Sequence, residues 1–110
     1  MGAYNILKTE IRCIHCKMKF FGNIQFKFGD TWQNIYYIGD KIKWGGADIG
    51  LPGYEKVKVY GILEEEECPF CALPLRYEYD IIIDKDIINL ITPLVDLKEY
   101  NSKNGNYCLL

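Results

Sequence analysis

Histidine is nearly missing: the 110 residues contain one, His15. It lies between two cysteines, so no imidazole remains elsewhere to act as a general acid or base. Long apolar runs are missing too, since no window approaches the roughly 18 apolar residues that a membrane span needs. No membrane contact is expected. The opening "MGAYNILKTEIRC" has neither a basic cluster ahead of an apolar stretch nor a small-residue cleavage site, so it lacks the form of a secretory signal. A cytoplasmic address is therefore expected, where thiols stay reduced. Lipid signals are incomplete: Gly2 is followed at position 6 by Ile6 where myristoylation needs Ser or Thr, and Cys108 is third from the end where a prenyl box needs the fourth.

Basic excess is also lacking. The net charge is −2, unlike that of a typical nucleic-acid binder. It is unevenly spread: residues 1–60 hold nine Lys/Arg against five Asp/Glu (+4), and residues 61–110 hold four against ten (−6). If the fold keeps these halves apart, the surface is dipolar, which bears on partner choice. Internal repeats are absent, and the only low-complexity tract is Glu64–Glu67.

Sustained apolar spacing at i, i+3, i+4 is absent before residue 92, so little helix is expected. Period two takes its place. In "NIQFKFG" Ile24, Phe26 and Phe28 alternate with Gln25 and Lys27, and in "KVKVY" Val57 and Val59 alternate with Lys56, Lys58 and Tyr60. Both have the pattern of half-buried strands. Residues 35–44 are expected to form two short strands about the turn dipeptide Gly39-Asp40. "YEYDIII" and "IINLI" should form a second hairpin about Asp84-Lys85-Asp86, and Ile81–Ile83 suggest burial on both faces there. Residues from Pro93 could make a short helix or an irregular tail, and 101–106 has a loop composition. Residues 45–54, with four glycines, read as a connecting loop; no Lys-Ser/Thr ending makes them a phosphate loop. The length, with 49% hydrophobic residues, suits one domain over 1–110 with a single modest core.

Cysteine carries the chemistry. Cys13, Cys16, Cys68 and Cys71 form two C-x-x-C pairs, "CIHC" and "CPFC". Two residues between thiolates let one tight turn aim both sulfurs at a point, so two such turns can complete a tetrahedron around a metal. In a reduced compartment this pairing points to a shared metal site rather than to buried thiols that merely pack. Four thiolates and a divalent cation leave −2 on the site, which N–H donors must take up. Lys17 is placed to help. His15 is expected as an exposed ring beside the metal, and Cys108 as a bystander.

The two pairs resemble the paired knuckles of zinc-ribbon and rubredoxin-like proteins, "CPFC" being close to their C-P-x-C-G form. The resemblance covers the two turns and the strands leaving them. It implies a mostly β fold, an antiparallel sheet elaborated around the four-cysteine site. In the family Gly usually follows each pair; here Lys17 and Ala72 do. The gap between the pairs is 51 residues against roughly 15–20 in the compact ribbon spacing, so several strands must be inserted.

Zinc is the expected metal, with iron second, because tetrahedral S₄ sites accept either. A four-cysteine site is closed, so hydrolysis at the metal is not expected, and glutamate runs are usually solvated faces; the chain is not expected to be an enzyme. Disulfide exchange would need a helix after "CPFC", where Pro74 and the alternation of Tyr77 and Tyr79 indicate extended chain. The expected function is non-enzymatic, acting through a protein partner. One alternative is a nucleic-acid module using Lys17, Lys19, Lys27, Lys41, Lys43, Lys56 and Lys58 beside Trp32, Tyr36 and Tyr37. The other is an iron electron carrier.

Overall fold

The computed structural model of the chain describes residues 4–101 and 105–110. Gly2, and residues 102–104 of the expected C-terminal loop, lie outside the described residues. The strands are β1 (Asn5–Arg12), β2 (Lys19–Phe26), β3 (Gly29–Asp30), β4 (Ile35–Tyr37), β5 (Asp48–Ile49), β6 (Lys56–Leu63), β7 (Glu78–Asp84) and β8 (Ile87–Pro93); the helix α1 (Lys98–Asn101) and the strand β9 (Tyr107–Leu109) follow. The protein is mostly β with little helix, as the period-two alternation predicts. Among the described residues no helix is long and apolar enough to cross a membrane.

Alternation works as expected in β2, where Ile24 and Phe26 are buried and Gln25 is half-buried. β1 is less legible because Asn5 and Thr9 occupy buried positions alongside Leu7 and Ile11. Asn5 is satisfied there: its Nδ2 donates to the Phe28 carbonyl and its Oδ1 accepts the Asn34 N–H, both at 3.0 Å. That pairing removes the cost of a buried amide and holds β4 in place.

The main sheet runs β4-β1-β2-β6-β7-β8, and β3 pairs β5 separately. Its pairings are antiparallel except that β4 lies parallel to β1. β6 is its centre. β7 takes one edge of β6, while the other is shared by β2 at Gly61–Leu63 and β9 at Val57–Val59. The sheet then curls until its ends meet: Gly39 donates its N–H to the Ile88 carbonyl, Ile88 donates to the Asp40 carbonyl, and Lys41 bridges Ile87. Leu7, Ile24, Val59, Ile81 and Ile88 are fully buried inside the curl. Each such side chain contributes about 1.5–3 kcal/mol over leaving it in water.

Two local expectations need correction. Gly39-Asp40 does not join two paired strands, since the chain after β4 crosses to β8; the turn is held instead by Asp40 Oδ2 accepting the Tyr37 N–H. Nor is Lys58 on a solvent face. It is 6% exposed, its Nζ bonded to Glu99 and 5.5 Å from the centre of the Tyr100 ring. The C-terminal segment covers this face, with Tyr100 buried and its hydroxyl donating to Asp80 Oδ1. That cover also explains the isoleucine run: Ile81 and Ile83 are buried inside the curl, and Ile82 is half-buried on the opposite face.

The β7–β8 hairpin forms as expected. Lys85 and Asp86 both have positive φ, 47° and 69°, the conformation of a tight hairpin turn. The glycine-rich stretch is a packed connection. β5 pairs β3, and Gly50, at φ 86°, lies so close to Phe28 that a Cβ there would meet the ring's Cε1 at 2.5 Å.

Candidate metal centre

The two C-x-x-C turns occupy the same end of neighbouring hairpins. The first joins β1 to β2; the second lies in the connection from β6 to β7. Because β2 and β6 are paired, the turns come together although 51 residues separate them.

Their backbones repeat one pattern. Cys13 N–H donates to the Met18 carbonyl at 3.0 Å and Lys17 N–H to the Cys13 carbonyl at 3.1 Å; Cys68 N–H donates to Leu73 at 3.0 Å and Ala72 N–H to Cys68 at 2.9 Å. Lys17 and Ala72 take φ of 66° and 61°. These are the two positions where glycine is usual, and here side chains are held in the left-handed region at a cost of roughly 1–2 kcal/mol each. Lys17 does not reach a thiol. Its Nζ donates to the Ile14 carbonyl at 3.0 Å, capping its own turn.

The four sulfurs all lie within 4.8 Å of one another. Cys13 and Cys71 are 3.7 Å apart and Cys16 and Cys68 3.6 Å, too long for a disulfide and close to the ~3.8 Å edge of a tetrahedron with bonds of about 2.3 Å. Cys13 and Cys68 are buried, and Cys16 and Cys71 partly so. N–H groups point at the sulfurs: His15 and Cys16 at Cys13 (3.3 and 3.5 Å), Phe70 at Cys68 (3.4 Å), Met18 at Cys16 and Leu73 at Cys71. Each knuckle thus supplies donors suited to negative sulfur.

The same contacts spread the thiol acidities. The N–H groups of Cys16 and His15, aided by the neighbouring thiols and opposed by burial, bring Cys13 down to about 6. At Cys71 the Leu73 N–H pulls downward, but burial and the thiols of Cys13, Cys68 and Cys16 outweigh it and push the group up to about 11. Cys16 also moves up; the Met18 N–H is outweighed by burial and by Cys68 and Cys13. Four crowded thiols cannot all ionise without a cation, and this donor set fits one.

No protein family, no curated protein and no solved structure matches this chain. What the cluster can hold therefore rests on its own donors and geometry.

The remaining expected site residues fall outside the cluster. His15 is exposed, and its ring is not part of the sulfur group. Cys108 lies on β9 opposite Lys58, on another part of the sheet. The seven lysines and three aromatics expected on one basic face do not share it: Lys58 and Tyr36 are buried, and Lys19 is paired with Glu10 at 3.1 Å. Sequence reasoning misses the polar group formed by Lys58, Asp80, Glu99 and Tyr100. Its members are spread over 43 residues, from 58 to 100, with no motif spacing. The only signal is the lysine and the aspartate sitting inside apolar strands.

Proposed function

We propose that Cys13, Cys16, Cys68 and Cys71 hold one zinc ion in a structural, zinc-ribbon-like site, and that the domain is non-enzymatic and acts by binding a protein partner. The observation that carries the metal reading is the closed sulfur group, with all four sulfurs within 4.8 Å, the two cross-knuckle pairs at the length of a tetrahedral edge, and N–H donors from both knuckles. Bound there, zinc supplies a cross-link and charge neutralisation rather than chemistry, because four sulfurs leave no position for water or substrate. The chain's own part is to hold the sulfurs at that spacing and to offset the remaining charge with N–H groups.

The partner reading is supported by the exposed apolar side chains around the knuckles. Ile14, Met18, Phe70 and Tyr77 are each close to half exposed or more, at the end of the molecule that the metal would stiffen. Exposed apolar groups held in a rigid frame are what protein recognition uses.

Elemental analysis of purified protein tests the first part, with one zinc per chain expected. Cobalt substitution should give the visible absorption of tetrahedral thiolate. Five titratable thiols, those of the cluster and Cys108, in a folded, metal-free protein would refute the site, and a red protein containing iron would favour the electron-carrier reading instead.

A further inference from the structure

The curled sheet is closed along only half of its seam. β4 covers β1 at Ile6, Leu7 and Lys8, and the chain just beyond β4 bonds to β8 at Ile87 and Ile88. Past those contacts, among the described residues, no strand lies against Glu10–Arg12 of β1 or against residues 90–93 of β8. The other edges of these segments are already taken by β2 and β7.

Alternation fixes which groups of β1 face the gap. Cys13 N–H points across to Met18 on the β2 side, and Ile6 N–H points the other way, to the Asn34 carbonyl. The N–H and C=O groups of Glu10 and Arg12 share the parity of Ile6, so they are aimed into the gap.

A cavity of about 210 Å³ occupies it, with Ile11, Tyr79 and Ile91 among its lining and Arg12 and Arg76 at its rim. A second, of about 480 Å³, shares Ile14 and Arg76 with the first and continues past His15 and Leu75. Neither arginine forms an ion pair among the described residues. The nearby carboxylates are engaged elsewhere: Glu10 with Lys19 at 3.1 Å, and Glu78 with the Tyr60 hydroxyl at 2.7 Å. The gap thus combines an unpaired backbone edge, an apolar floor and two unpaired guanidinium groups.

We propose that this gap is a strand-addition site for an extended, acidic peptide segment of a partner protein. The peptide main chain pairs with Glu10 and Arg12, an apolar side chain enters the cavity over Ile11 and Ile91, and an Asp or Glu side chain is gripped by Arg12 and Arg76. Main-chain bonds supply affinity in this mode and alternate side chains supply specificity, while the guanidinium fork matches a carboxylate. The backbone edge favours a peptide over a nucleic acid, which cannot answer an N–H and a C=O at strand spacing. The inference rests on the protein-partner reading above and gives it a place and a chemistry.

The test is selection of a displayed library of random peptides about ten residues long on the metal-loaded protein. One recovered sequence is then measured by fluorescence anisotropy and mapped by amide chemical shifts and hydrogen exchange. The expected peptides carry an acidic residue with apolar residues at alternate positions, and the Glu10 and Arg12 amides shift and become protected. Replacing both arginines (Arg12→Glu, Arg76→Glu) should weaken binding by about tenfold or more, the size expected when charge-assisted bonds are lost. Lys41→Glu, outside the gap, should not weaken it. Peptides that bind while perturbing another face would overturn the gap and leave the partner reading standing. Failure to recover any peptide, together with salt-dependent binding of single-stranded DNA, would overturn both.

Discussion

Cys13 and Cys71 meet sulfur to sulfur at 3.7 Å across 58 residues of chain. The first cysteine of one knuckle thus faces the second of the other, and Cys16 and Cys68 make the complementary contact at 3.6 Å. A metal at their centre would tie the β1–β2 hairpin to the β6–β7 connection at one end of the sheet. Closing so long a loop removes much freedom from the unfolded chain.

Metal should therefore dominate stability. Structural zinc in small peptides is worth about 10–16 kcal/mol at neutral pH, so Cys68→Ser, which leaves three thiolates, should lower the melting temperature by about 20 °C or more. A strong chelator should do the same to the unaltered protein, while Cys108→Ser should melt within a few degrees of it. Equal melting of Cys68→Ser and the unaltered protein would remove the metal from the account.

The knuckles should be improvable. Ala72 is held at φ 61°, where glycine is favoured, so Ala72→Gly should stabilise the protein by about 0.5–1 kcal/mol after its own entropy cost. Urea unfolding of the metal-loaded forms measures this. A decrease would show that the Ala72 methyl packs more than its exposure suggests.

Gly50 and Gly53 share a φ of 86°, yet only Gly50 stands against Phe28. Alanine at either position incurs the same backbone strain; at Gly50 it also drives a methyl into the ring. Gly50→Ala should cost about 1–3 kcal/mol more than Gly53→Ala. Equal costs in denaturant unfolding would show that the loop lifts off Phe28 without penalty.

The C-terminal cover should fail in alkali. Burial, then the hydrogen bond to Asp80 and its charge, raise the Tyr100 phenol well above its usual range. Burial alone would lower Lys58, but the bond to Glu99 and the charges of Asp80 and Glu99 outweigh it and raise the ammonium. Both groups hold their protons more tightly when folded. Their contribution is therefore complete below about pH 10 and is lost as pH rises through the folded values. Tyr100→Phe should cost about 1–3 kcal/mol at pH 7, because Asp80 loses its buried partner, and should flatten the alkaline decline. An unchanged slope in urea midpoints measured from about pH 8 to 11 would assign the decline to other groups.

The local sequence by itself determined the strand content and the chemistry of the cysteines. Ile24 and Phe26, Val57 and Val59, and the isoleucines from 81 alternate or cluster as sheet burial requires, and a C-x-x-C turn brings its own two sulfurs together whatever surrounds it. The neighbours of each strand were decided only in the tertiary structure, since alternation reports that one face is buried and not what lies beside it. So the parallel β1–β4 pair, the crossing from Gly39 to β8 and the half-open seam beside Arg12 left no mark in the pattern. Lys58 shows the same limit from the other side. Its place in an alternating strand predicts solvent, but Tyr100 and Glu99, more than forty residues later, close over it; a contact that distant in the chain has no periodicity to reveal it.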